Sequence, residues 1–311
     1  MRKTTLSLLL LLLLTLVWVL KVNMVEAAFS VLIEPNGNVN PPTAPISRSG
    51  DLYTLTGNIN SASEGIWIAR SNVVIDGAGF TLQGPGVSGG SNLKGVYLFE
   101  VSNITVKNLK VRSFHYGFYV NNASSNTFYW NDATNNVFDG FNVGFYASNN
   151  NMSWNNVSSN LRYGIVIYQP TSNNLVTWNN IENNGWGTPL NYGILIYSSG
   201  NTVHHNSFVN NAIQAGMGVS GFPNAWDNGY PSGGNYWSNY TGPDANGDGI
   251  GDTPYTIDSV NQDRYPLKNA VVIPEFPSNV ILAILLVATM FSVIIFRKEF
   301  AGKPRRFQIN S

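Results

Sequence analysis

The sequence predicts an all-β chain coiled as a right-handed parallel β-helix, a solenoid with an N-terminal signal peptide and one C-terminal transmembrane helix. Three observations predict it. Short apolar strands, each opened by a glycine, recur at Gly65, Gly95, Gly117, Gly140, Gly164 and Gly193. Asparagines recur in columns behind those glycines. An apolar run stands at each end of the chain, outside the repeats.

The repeat step is 22 to 24 residues from Gly95 to Gly164, with longer steps before Gly95 and before Gly193. A period this short excludes a propeller, whose blades need about 40 residues each. Residues 103–108, 126–131, 150–155, 174–179 and 201–206 each begin and end with asparagine. A third column follows at Asn136, Asn160, Asn184 and Asn211. If each unit is one coil, its strands lie about 4.8 Å above those of the coil before. Like residues then stack into ladders. Asparagine suits a ladder at a corner: it tolerates left-handed backbone, and its amide bonds the amides above and below. Alternating Val, Ile, Phe and Leu fill the lumen, and stacking supplies the stability that no single coil has alone.

The two ends set the location. Met1, Arg2 and Lys3 precede an apolar run from Leu8 to Leu20, and small residues near Ala27 complete the plan of a secretory signal, residues 1–27. Residues 280–296 are apolar on every side and about long enough to cross a bilayer. Arg297, Lys298, Lys303, Arg305 and Arg306 follow at once, which places the tail, 297–311, in the cytoplasm and the body outside. Between the ends the expected order is an N-terminal cap region (28–64), the repeats (65–222), a C-terminal cap (223–270) and a linker (271–279). The expected location is the cell membrane, crossed once. Charges are sparse and balanced, 17 basic against 17 acidic, so no basic field exists to attract nucleic acid. The absence of cysteine excludes disulfides and thiolate metal sites.

The glycine strands and asparagine columns resemble the parallel β-helix repeats of the NosD-like family, over roughly Gly65 to Leu267. Residues 234–240 and 263–267 look like the end of archaeal NosD-like surface proteins. Residues 273–278, Ile-Pro-Glu-Phe-Pro-Ser, resemble a PEF-type sorting signal. The resemblance implies kinship with carbohydrate-binding and sugar-hydrolysing β-helices, and an association of NosD-type proteins with copper delivery.

Four groups of residues are candidates for chemistry. Asp244, Asn246, Asp248 and Asp252 place oxygen at loop positions one, three, five and nine. Ile250 offers its carbonyl at seven, and glycine stands at six. That spacing wraps calcium, here in a structural role; the alternative is a solvated turn, since Tyr255 stands where a bidentate glutamate belongs. Tyr116, Tyr163 and Tyr192 share a column with Asp139, where stacked rings would hold sugars. Trp130, Trp154 and Trp178 form a second column, between Lys107 and His205, that either does the same or turns inward. The acids Glu64, Asp76, Glu100, Asp132, Asp139 and Glu182 scatter in register, so they are expected as isolated surface charges and no catalytic residue is assigned. His204 and His205, adjacent on a strand, are expected on opposite faces, and Met152 in the lumen, so no copper ligand set is expected. The reading is a membrane-anchored surface protein, an envelope component or a polysaccharide binder and not an enzyme. The alternatives are a polysaccharide lyase or glycoside hydrolase, and a copper-associated protein.

Overall fold

The structure, a computed structural model, describes residues 25–27, 31–90, 92–186 and 191–272. The signal segment, apart from the backbone of Val25–Ala27, and the sorting-like segment, membrane helix and basic tail lie outside the described residues. Among the described residues no helix is long and apolar enough to cross a membrane.

The body is a right-handed-type parallel β-helix, as the sequence predicts. Its strands form three long sheets of 9, 9 and 8 strands, and each coil contributes one strand to each. One coil shows the plan. Tyr116–Asn121 lies in sheet 1, Thr127–Tyr129 in sheet 2 and Asp132–Thr134 in sheet 3; Asp139–Val143 then stacks in parallel on Tyr116–Asn121. Parallel pairing reaches past residues 65–222 at both ends. Val25–Ala27 and Tyr236–Trp237 are the outermost strands of sheet 3. At the N-terminal end two antiparallel pairs, Val31–Ile33 with Val39–Asn40 and Ile46–Ser49 with Leu52–Leu55, close the first coils.

Apolar side chains at alternate positions point inward and fill the lumen. Phe118 and Phe141 stack at 4.4 Å, and Phe128 meets both edge-on. Each such ring removed from water contributes about 1.5–3 kcal/mol. Toward the last coil the stack continues through Phe208, Trp237 and Tyr255, at 4.5 and 4.3 Å.

The glycine column has a packing reason. A Cβ at Gly117 would lie 2.6 Å from the Gly140 carbonyl oxygen and 2.8 Å from Nδ2 of Asn136. At Gly140 the Gly164 carbonyl and Asn160 would stand as close. The column therefore leaves room for the asparagines of the neighbouring corner.

The asparagines make three buried ladders, each with one polarity. Asn155 is typical. Its backbone N–H and its Nδ2 donate to Oδ1 of Asn179, at 2.9 and 3.0 Å. Its Nδ2 also donates to the Phe128 carbonyl. Its own Oδ1 accepts from the N–H and Nδ2 of Asn131. The middle ladder runs Asn131, Asn155, Asn179, Asn206 and Asn235, then ends on Oδ2 of Asp263. The first runs from Asn126 through Asn150, Asn174, Asn201 and Asn224 to Asn261, whose Nδ2 donates to Asp258. The third ends where Asn211 donates to Oε1 of Gln214.

Two expectations need correction here. Asn103 and Asn108 are not in the ladders. Thr105 pairs with Thr127, so Ile104 and Leu109 stand at the ladder positions of that coil. The ladder asparagines also do not supply the left-handed backbone. In the inner coils the residue just before each does: Ser125, Trp130 and Asn135 in one coil, Asn149, Trp154 and Ser159 in the next, all with φ between 54° and 60°. Asn103 and Asn108, at φ 53° and 57°, are corner residues of this second kind.

Candidate ligand-binding face

The outer face of sheet 1 is aromatic. Trp67, Tyr97 and Tyr119 stand in register on successive coils, their ring centroids 5.7 Å apart at each step. Trp67 and Phe99 remain 39% and 38% exposed. Nζ of Lys94 lies 5.3 Å from the Tyr97 ring centre and pairs with Glu64 at 2.7 Å. Further along, Tyr168 and Tyr197 stack at 5.2 Å. Burial pushes the Tyr168 hydroxyl up to about 12 and also raises Tyr97, so both stay neutral at physiological pH.

Tyr116, Asp139 and Tyr163 occupy the adjoining outer column in successive coils, as the sequence predicts, and Tyr163 and Tyr192 lie 6.3 Å apart. All three tyrosines are half-buried. Between Tyr116 and Tyr163 sits Asp139, wholly buried, gripped by Nε and the terminal nitrogen of Arg162 at 2.8 and 2.7 Å and by Nδ2 of Asn142. Burial raises the Asp139 carboxyl, against the Arg162 guanidinium and the amide that hold it down. Arg162 in turn lies 4.9 Å from the Phe138 ring centre and 5.0 Å from that of Tyr163.

The repeat charges are thus not all isolated, contrary to the expectation. Glu64, Asp76, Asp132 and Asp139 pair with Lys94, Lys107, Arg112 and Arg162 respectively. Glu64 and Asp76 face their partners in direct register on the next coil, whereas Asp132 and Asp139 reach partners offset by two positions and by one. Each acid in these pairs faces a cation.

The tryptophan column faces outward. Trp130, Trp154 and Trp178 occupy left-handed corners, with Asn108, not Lys107, before them. Trp154 stacks on Trp178 at 5.0 Å, and Trp178 on His205 at 4.6 Å. The left-handed turn at His205, φ 54°, also overturns the expectation for the histidines. Alternation ends at His204, so the two side chains swing together and their Nδ1 atoms lie 2.6 Å apart. Nε2 of His205 donates to the Ser232 carbonyl at 2.8 Å, which leaves its Nδ1 as acceptor and His204 as donor. Burial and the neighbouring imidazole lower His204 to about 4, so it is neutral at pH 7. His115 is buried and accepts from the Leu93 N–H. Met152 is wholly buried in the lumen, in register with Phe128 and Val176, as expected.

The Asp/Asn/Gly loop lies at the C-terminal end. Asp244 accepts the N–H groups of Gly247, Asp248 and Gly249. Asp248 accepts that of Ile250 and the amide of Asn246, and Asp252 that of Ala245. Those hydrogen bonds hold Asp248 below the usual carboxylate range. Gly247 and Gly249 take left-handed φ, 72° and 87°. Ile250 bridges to Leu267, which ties the loop to the last coil.

A family described as "Periplasmic copper-binding protein (NosD)" has a sequence model that matches residues 46–242. No curated protein matches the chain. Copper's nitrogen and sulfur donors are few here. Among the described residues no three His, Asp or Glu side chains are grouped to hold a metal. Among the described residues only His204 and His205 converge. Two imidazole nitrogens in hydrogen-bond contact, one ring anchored through its far nitrogen to a carbonyl, fall short of the square set that copper(II) prefers, and they would hold copper(I) only once the rings part to opposite sides of the ion.

Proposed function

Because the chain belongs to the NosD family, we propose that it is an extracytoplasmic β-helix, tethered by its C-terminal apolar segment, that binds polysaccharide on the aromatic outer face of sheet 1. The observation that carries this reading is the in-register row Trp67, Tyr97 and Tyr119, with Phe99 beside it. Rings repeated at the strand spacing of about 4.8 Å offer apolar platforms to successive sugars along a chain. The role is binding rather than catalysis, because the buried acid of this face, Asp139, is committed to Arg162 and Asn142. Pull-down of the full chain on cell-wall polysaccharide, with a reducing-end assay in parallel, tests it. Retention without new reducing ends is expected, lost in Trp67→Ala/Tyr97→Ala. New reducing ends would make the protein a hydrolase or lyase.

A second reading is copper handling, favoured by the meeting of His204 and His205 together with the family's description. Copper(I) would take the two Nδ1 atoms, with the His204 proton moved to Nε2. Anaerobic titration against a chromogenic copper(I) chelator tests it. One equivalent withheld by the parent and none by His204→Ala/His205→Ala supports the reading; equal behaviour removes it.

A further inference from the structure

Sheet 3 and the C-terminal cap enclose a groove of about 720 Å³ that lies away from the aromatic face. Its walls carry Asn183, Trp186, Asn210, Gln214, Asn239 and Tyr255. Asn183 and Asn210 are left-handed corner residues of consecutive coils, φ 54° and 50°, so their side chains project outward instead of joining the ladder. Among the described residues neither side-chain amide has a hydrogen-bond partner. Trp186 is 68% exposed, open for an indole, and among the described residues no ring covers it. The Tyr255 ring is fixed from behind by Trp237, parallel at 4.3 Å, and its hydroxyl accepts from Nδ2 of Asn239. Among the described residues no charged side chain lines the groove.

The geometry points to a subsite for a neutral pyranose, the end or branch of a glycan. The inference rests on the polysaccharide-binding reading and names the sugar class for a separate place on the coil. A free amide offers a donor and an acceptor side by side, which matches two adjacent hydroxyls of a sugar ring. An open indole and a rigid phenol ring take the apolar C–H face of the same sugar. The volume suits one or two sugar units. A uronic acid would bring a carboxylate into a groove with no cation to meet it, at a desolvation cost that nothing offsets. Free amides, open rings and absent charge therefore select against acidic glycans as well as for neutral ones.

The test uses the full purified chain and saturation-transfer NMR with methyl β-glucoside, methyl α-mannoside, a neutral hexasaccharide panel and oligogalacturonate. Transfer to at least one neutral glycoside is expected, at least tenfold weaker in Trp186→Ala and in Asn183→Gly/Asn210→Gly, in which glycine keeps the left-handed corners, with no transfer to oligogalacturonate. All three substituted residues are exposed, so an unchanged thermal midpoint is the control for folding. Binding of neutral hexasaccharides that needs Trp67 and Tyr97 but not Trp186, Asn183 or Asn210 overturns the subsite and leaves the proposed function standing. Equal binding of oligogalacturonate overturns the sugar class. No binding of any neutral sugar by the parent overturns both.

Discussion

Asn155 satisfies every one of its polar atoms inside the coil, and those atoms in turn satisfy Asn131 and Asn179. Asn155→Ala strands the buried backbone N–H of Asn131 and one of its two Nδ2 hydrogens, the other being held by the Val106 carbonyl, and should cost about 1–3 kcal/mol. Asn149, exposed at a left-handed corner with φ 58°, does the other job, so Asn149→Gly should be near neutral when both variants are compared by urea titration. Equal losses would mean that the two roles are not separate. Asn142 lies outside the ladders, as the sequence indicates, but its buried amide holds Asp139, so it is no neutral control. Asp263 shows what a ladder's end demands. Burial pushes its carboxyl up to about 6, against N–H donors from Asn235, Trp237 and Tyr265. A folded value above the unfolded one means that the fold favours the protonated form. Asp263's contribution is then full below about pH 4 and lost as pH rises through 6. Asp76, Asp227 and Asp258 are lowered and act in the opposite sense. The clean measurement is the parent minus Asp263→Asn difference in unfolding free energy, which should grow in the parent's favour from pH 7 to pH 4.5. A flat difference would contradict a raised Asp263.

At the scale of the element, the loop at residues 244–252 is held by its own hydrogen bonds and carries three carboxylates. Calcium, if it replaces the amide hydrogens as partner to Asp244 and Asp248, would lock the loop that Ile250 ties to Leu267. The stabilisation reaches about 2.7 kcal/mol at a hundredfold excess of calcium over its dissociation constant. A higher melting temperature in millimolar calcium than in chelator is expected, and Asp248→Ala should erase the difference; no difference in the parent leaves a plain acidic turn. Element boundaries and columns were largely legible in the sequence because glycine and asparagine recur at nearly constant spacing. The slip at Asn103 and Asn108 has a physical cause. Asparagine serves both the left-handed corner and the ladder, and the two positions are neighbours, so residue type alone cannot separate them. The same corner misled the reading of Trp130 and of His204 with His205, since strand alternation stops where φ changes sign. The groove beside Trp186 had no sequence signal, because it joins consecutive coils to a cap that lacks the repeat.

For the whole molecule, three sheets share one lumen filled in part by stacked phenylalanines, and a second set of aromatic side chains stands on its outside. The family's periplasmic description agrees with a body outside the cytoplasm. The expected topology puts all of that surface within reach of external reagents. Protease added to intact cells should remove the body and leave a short membrane-bound remnant with the basic tail; a body protected in intact cells would refute the topology.

The one-way sense of the asparagine ladders has a consequence for length. An inner coil takes hydrogen bonds from the coil before it and passes an identical set to the coil after it, so inner coils are interchangeable. The final coils are not, because Asp258, Gln214 and Asp263 receive without passing on the same pattern. Growth by duplicating one inner 24-residue unit needs no new chemistry, whereas loss of the last coils leaves three rows of buried donors facing water. The chain is in this sense a ruler that lengthens only from within, and the length of the solenoid is set by how many inner copies it carries.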